Sequence, residues 1–144
     1  LGQDVSARVL ATDISARMVA RARQGVYGED ALEPVPPLLR QRHFMCVQAR
    51  APRTWSVSPE VRRLVRFACL NLVATWPMRG MFDLICCRNV MIYFDKATQQ
   101  SLVQRFWEKL TPGGYLFTGH SESLAGLEHA FRYVQPAVYQ RMAV

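Results

Sequence analysis

No stretch of this chain approaches 18 consecutive apolar residues, although half of its 144 residues are apolar. A membrane-spanning helix is therefore not expected. The opening residues Leu1-Gly2-Gln3-Asp4 offer neither a basic segment nor an apolar one, so no signal peptide is expected, and the reading is of a soluble, cytoplasmic protein. Cysteine is sparse and badly spaced: Cys46, Cys69, Cys86 and Cys87 are separated by 23, 17 and 1 residues. That spacing matches no zinc pattern and makes a poor disulfide framework, because neighbours on a strand point to opposite faces. His43, His120 and His129 form no cluster of metal spacing. Reduced core thiols and no metal site are the expectation.

Acidic side chains are also few, 11 against 18 Lys and Arg, which leaves a net charge of +7. The imbalance is local: Arg40, Arg42, Arg50, Arg53, Arg62, Arg63 and Arg66 stand against Glu60 alone between Leu38 and Arg66. A basic strip with few interleaved aromatics reads as a solvated face or a dock for an acidic protein, and nucleic acid is not expected. The length and apolar fraction suffice for the core of one domain or part of one. An initiating Met is missing, and with a strand opening by about Arg8 the chain is expected to begin inside a larger protein.

The elements follow in the order strand, acidic residue, helix. Arg8-Val9-Leu10-Ala11-Thr12 predicts a strand ending at Asp13, and Ser15 caps a helix over 16–23 that Gly25 closes. Pro34, Pro36 and Pro37 break the chain before a short helix over 38–42. Two strands are predicted at 44–47 and 54–57, inside an antiparallel excursion covering about 44–67 that carries the basic strip. After one helical turn at Ser58-Pro59-Glu60, the main sheet resumes near Val65 and ends at Asn71-Leu72. A buried strand at 83–87 precedes a long amphipathic helix over 96–110, capped by Asp95, with Leu102, Val103, Phe106 and Leu110 on one face. Thr111-Pro112-Gly113-Gly114 stops it, a strand follows at 115–118, a helix over 121–131, and a closing strand pair at 131–134 and 137–140. Strands alternating with helices predict an α/β fold with a parallel, doubly wound sheet and a late antiparallel strand.

The candidate site residues stand where strands end, which is where open α/β sheets bind ligands. Asp13, between a strand and a helix, can accept hydrogen bonds from both ribose hydroxyls of a nucleoside cofactor, and equally can cap the helix. The apolar run Met81-Phe82-Asp83-Leu84-Ile85-Cys86-Cys87 delivers Arg88 and Asn89 to the same kind of position, followed by Val90-Met91-Ile92-Tyr93-Phe94-Asp95. Asn71 offers an amide and Leu72 an apolar cover.

These segments resemble the CheR family, the chemotaxis receptor methyltransferases that use S-adenosylmethionine. The likeness runs through Leu10-Ala11-Thr12-Asp13-Ile14-Ser15, Ala22-Arg23-Gln24-Gly25-Val26-Tyr27, Asn71-Leu72, the stretch from Phe82-Asp83 to Asp95, Pro112-Gly113-Gly114 and Gly119-His120-Ser121-Glu122-Ser123. It implies a Rossmann-like methyltransferase sheet with a small inserted antiparallel β-subdomain, and one partial domain over 1–144. It also implies that Asp13 holds the cofactor ribose and that Asn71, Leu72, Arg88 and Asn89 line its adenosine and methionine parts. Tyr93 would stand near the transferable methyl as the candidate catalytic residue, orienting the incoming carboxylate. The implied reaction is methyl transfer to glutamate side chains of chemoreceptor helices, giving methyl esters and S-adenosylhomocysteine. A glutamate is already ionised at neutral pH, so no general base is needed, and alignment and exclusion of water carry the step. His120 and Glu122 are read as holding a loop or rimming the pocket.

The resemblance also implies absences. The family's helical N-terminal domain, its first sheet strand and the Gly-containing cofactor loop have no counterpart in the sequence. That strand lies in the middle of such a sheet, so two groups of strands with exposed edges and no ladder between them are expected, along with weak or absent cofactor binding. A second copy of the chain supplying the strand by swapping is one resolution. Two other readings stay open: a methyltransferase with a different acceptor, and a silent remnant whose Arg-rich excursion holds an acidic partner.

Overall fold

The run Val9-Leu10-Ala11-Thr12 is apolar and partly β-branched, which favours an extended backbone, and strand β1 covers Val9–Asp13. The computed structural model describes residues 7–143, which fall into two units that meet between Asn71 and Leu72 in the sequence. In the first unit β1 leads into helix α1, Ala16–Gln24. The Ser15 hydroxyl accepts the Met18 N–H at 3.4 Å, and Gly25 ends the helix with φ 62°, a left-handed conformation that costs glycine least. Next come β2 (Val26–Gly28), a 3₁₀ turn (Asp30–Leu32), α2 (Pro37–His43), β3 (Phe44–Gln48), β4 (Thr54–Val57), α3 (Pro59–Leu64) and β5 (Val65–Cys69). Strands β1 and β5 run parallel, with Val9 opposite Val65 and Asp13 opposite Cys69. An antiparallel sheet of order β2-β4-β3 forms the excursion.

The second unit contains β6 (Phe82–Cys87), a 3₁₀ turn (Met91–Tyr93), α4 (Lys96–Lys109), β7 (Leu110–Thr118), β8 (Arg132–Gln135) and β9 (Val138–Gln140). Its sheet has the order β6-β7-β9-β8. β6 and β7 are parallel and joined through α4, while β9 lies antiparallel to both its neighbours. Asp95 caps α4 by accepting the Thr98 N–H at 2.8 Å. The apolar face of α4, Leu102, Val103 and Phe106, packs with Cys87, Met91, Leu116, Leu124 and Tyr139 into the core of this unit. Among the described residues β1 ladders only to β5, and β6 only to β7, so one side of each carries no strand.

Four expectations need correction. The helix predicted over 121–131 does not form; the segment is irregular between β7 and β8. Its backbone bonds are isolated turns, Glu122 N–H to Gly119 O and Leu127 N–H to Leu124 O, and Gly126 sits at φ 79°. The Leu124 N–H is taken by the Tyr139 hydroxyl. Second, α4 does stop before Thr111, at Lys109, but β7 begins already at Leu110 and runs through Pro112-Gly113-Gly114. These residues therefore lie inside a strand and not in a separate turn, with the register to β6 shifting between Phe82 and Leu84. Third, Val26–Gly28 joins the excursion as a third strand. Fourth, the thiols are free but only Cys87 is buried; Cys46, Cys69 and Cys86 are exposed, and the alternation of strand faces puts Cys86 opposite its core neighbour.

Candidate functional site

Strand β1 ends at Asp13, whose Oδ1 accepts the Ser15 N–H at 2.7 Å. The side chain is exposed, and no other hydrogen bond to it is seen among the described residues. The Asp13 carbonyl accepts the Leu70 N–H at 3.0 Å, so Asp13 and the following Asn71 share the carboxyl end of the β1–β5 pair. One carboxylate oxygen thus braces Ser15, which is itself the N-cap of α1, and acceptor capacity remains on the other.

The second unit holds the other candidates. Leu72 is half-buried against the core and borders a cavity of about 250 Å³ with Val73, Ala97, Thr98, Ser101 and Arg105. Arg105 fixes the backbone there, donating to the carbonyls of Leu72 at 3.0 Å and Ala74 at 2.7 Å. Arg88 and Asn89 follow β6 directly and are exposed, and Tyr93, at the end of a 3₁₀ turn, is 80% exposed. Asn89 adopts φ 59°, a left-handed conformation that asparagine tolerates better than most residues.

The loop after β6 is held by a residue the sequence reading placed only loosely. Glu122, 4% exposed, accepts N–H groups from Asn89 (2.6 Å) and Gly119 (2.6 Å) on Oε2 and from Val90 (2.7 Å), Met91 (2.7 Å) and Ile92 (3.3 Å) on Oε1. Burial pushes this carboxyl up, but the N–H bonds from Asn89, Gly119, Val90 and Met91 outweigh it, and its pKa lies below the ordinary value. Cys87 is pushed up to about 12, by burial first and then by the charges of Glu122 and Cys86. The signal for the clamp was present in Gly119-His120-Ser121-Glu122, a glycine and an acid three residues apart beyond a buried strand.

Residues 2–140 match the family described as "CheR methyltransferase, SAM binding domain". The chain belongs to this CheR family. It is 44% identical over 138 residues to a probable chemotaxis protein methyltransferase of Rhizobium etli, covering 95% of this chain and 52% of that protein. It is 41% identical to chemotaxis protein methyltransferase 2 of Pseudomonas aeruginosa (94% and 49% covered) and 41% identical to the chemotaxis protein methyltransferase of Escherichia coli (92% and 46% covered). The chain therefore spans about half the length of the curated relatives it matches. Among solved structures, the N-methyltransferase NodS of Bradyrhizobium japonicum WM9 overlaps 77% of this chain and 44% of its own at 18% identity, with a TM-score of 0.45.

Each unit has the α/β make-up with a parallel strand pair expected of a Rossmann-like CheR methyltransferase domain, and S-adenosylmethionine is the cofactor of that domain. In the first unit Asp13 presents an exposed carboxylate with spare acceptor capacity, the chemistry a ribose diol needs, and in the second unit Leu72 presents an apolar side chain beside a cavity. Among the described residues no helix is long and apolar enough to cross a membrane, and no group of His, Cys, Asp or Glu is placed to hold a metal.

The basic strip is less free than its composition suggests. Glu29, outside the strip, pairs with Arg40 at 2.8 Å and with Arg53 at 3.7 Å, and Arg40 also stacks over Trp55 at 4.5 Å. Arg62 and Arg23 donate to the carbonyls of Arg23 and Phe67 beside a cavity of about 720 Å³, which Arg63 and Arg66 also line. None of the predicted cofactor residues lines that cavity.

Proposed function

We propose that this chain is part of an enzyme that transfers methyl from S-adenosylmethionine to glutamate side chains of chemoreceptor cytoplasmic helices, forming methyl esters in chemotaxis adaptation. The observation that carries the reading is the segment from Arg88 to Asp95, displayed at the carboxyl end of β6 in a chain that matches the CheR domain over residues 2–140. When bound, the cofactor supplies an electrophilic methyl on a sulfonium, so the acceptor needs no deprotonation. The chain's own residues bind and orient. Asp13 accepts from the ribose hydroxyls, Asn71 and Leu72 cover the adenine, and Arg88 and Asn89 contact the polar parts. Tyr93, with its phenol in solvent, orients the incoming carboxylate.

The setting is the cytoplasm. The arginines of the strip that no carboxylate pairs among the described residues, Arg42, Arg50, Arg62, Arg63 and Arg66, favour approach of Glu-rich helices. The domain is a partial one over 1–144, with the inserted β-subdomain near 44–67 joined by β2. By itself it binds cofactor weakly and turns over little. The test is transfer of labelled methyl from the cofactor to receptor fragments by the longer protein that contains this chain. The label should be released by mild alkali, as an ester requires. Alkali-stable label, or transfer to a nitrogen acceptor, would defeat the glutamate reading while leaving methyl transfer intact.

A further inference from the structure

Strands β6 and β7 end side by side, with Cys87 opposite Thr118, and the turn after β7 sends Glu122 beneath the loop after β6. The carboxylate reaches back 33 residues to the Asn89 N–H. Four successive backbone donors, from Asn89 to Ile92, converge on it, and Gly119 adds a fifth. No cation among the described residues pairs with it, so peptide dipoles alone balance the buried charge. A carboxylate offers about four lone-pair directions, and five donors exhaust them. Glu122 therefore has no capacity left for substrate or for a proton in transit.

We propose that Glu122 is the positioning residue of this loop: it sets the backbone over 89–92 and thereby the directions in which Asn89 and Tyr93 are presented. The functional side of this inference rests on the reading of residues 88–93 as part of the cofactor site. Two local features show a shape held from below. Asn89 is kept at φ 59°. Gly119 has no room for a side chain: an added Cβ would come within 2.4 Å of Glu122 Oε2, 2.6 Å of Asn89 Oδ1 and 3.1 Å of the Asn89 backbone nitrogen.

Amide hydrogen exchange followed by NMR tests this on the unsubstituted chain and two variants. In the unsubstituted chain the amides of Asn89, Val90 and Met91 should exchange roughly tenfold or more slower than exposed loop amides such as Arg79 and Gly80. Glu122→Gln keeps the shape but turns an NH₂ group against the donors. It should accelerate exchange at 89–92 roughly tenfold or more and leave Val103 and Phe106 of α4 unchanged. Gly119→Ala keeps the charge, displaces the carboxylate and should give the same local pattern. Loop amides that already exchange freely in the unsubstituted chain would overturn the proposal, as would variants that loosen α4 and the loop alike. Should Glu122→Gln not fold, the unsubstituted chain and Gly119→Ala decide. Titration of S-adenosylhomocysteine against the unsubstituted chain and the longer protein reads the cofactor assignment separately. Failure there counts against the proposed function, and the exchange data still decide on Glu122.

Discussion

Gly119 and Glu122 form one device, and each residue predicts a different observable. A methyl at position 119 must displace both the Glu122 carboxylate and the Asn89 side-chain oxygen, so Gly119→Ala should cost roughly 1–3 kcal/mol in urea denaturation, the usual range for overpacking. Glu122 titrates below its ordinary value near 4.5 because it is hydrogen-bonded in the folded chain. Its stabilisation is fully present above that value and is lost as pH falls through the lower, folded-state pKa. An acid titration should therefore hold steady down to about pH 4.5 and lose stability below it. Glu122→Gln should flatten that limb. Cys87, buried and pushed up to about 12, should resist alkylation at pH ~8, where the exposed Cys46, Cys69 and Cys86 react. Labelling of Cys87 at their rate would contradict its placement. Little of this was legible in the sequence. Asn89 and Glu122 were both singled out, but a positive φ and a five-donor contact between residues 33 apart depend on where two strands end together.

Among the elements, those with a long period or a clear cap were readable. α4 begins at its predicted cap, Asp95, and buries its predicted Leu102, Val103 and Phe106. Asp95→Ala should lower stability slightly by removing the cap, and Phe106→Ala should cost roughly 3–5 kcal/mol because it empties a fully packed position; thermal melts of both should show the second falling much further. β2 was missed because three residues, Val26–Gly28, show no period of their own and pair only through β4. The segment over 121–131, expected as a helix, carries Leu124 and Leu127 three apart, a spacing a helix would also have. Side-chain capture of backbone groups by Glu122 and Tyr139 took precedence over it.

At the scale of the molecule, charge and edges carry the expectations. With a net charge of +7 concentrated in the excursion, association with Glu-rich receptor fragments should weaken steadily between low and physiological salt. A salt-independent affinity would remove the arginines from the proposed encounter. The alternation of elements was sufficient to read the α/β class and the parallel pairs. The charge balance was misjudged in part, since Glu29 comes from outside the basic run to pair with Arg40 and Arg53. Exposed Val9, Leu10, Ile14 and Met18 around β1 accord with the proposed weak cofactor binding, and calorimetry giving low-micromolar affinity for the 144-residue chain would refute it.

The reach from Asn89 to Glu122 also sets an order of events during synthesis. The ribosome delivers β6 and its polar tip first, then α4 and β7, and only afterwards the acid that fixes that tip. Until then four peptide donors stand open on water, and a nascent chain halted at Thr118 would own the whole signature segment without its shape. The shape of this loop is thus set only after β7 has been made, by a residue 33 positions further along the chain.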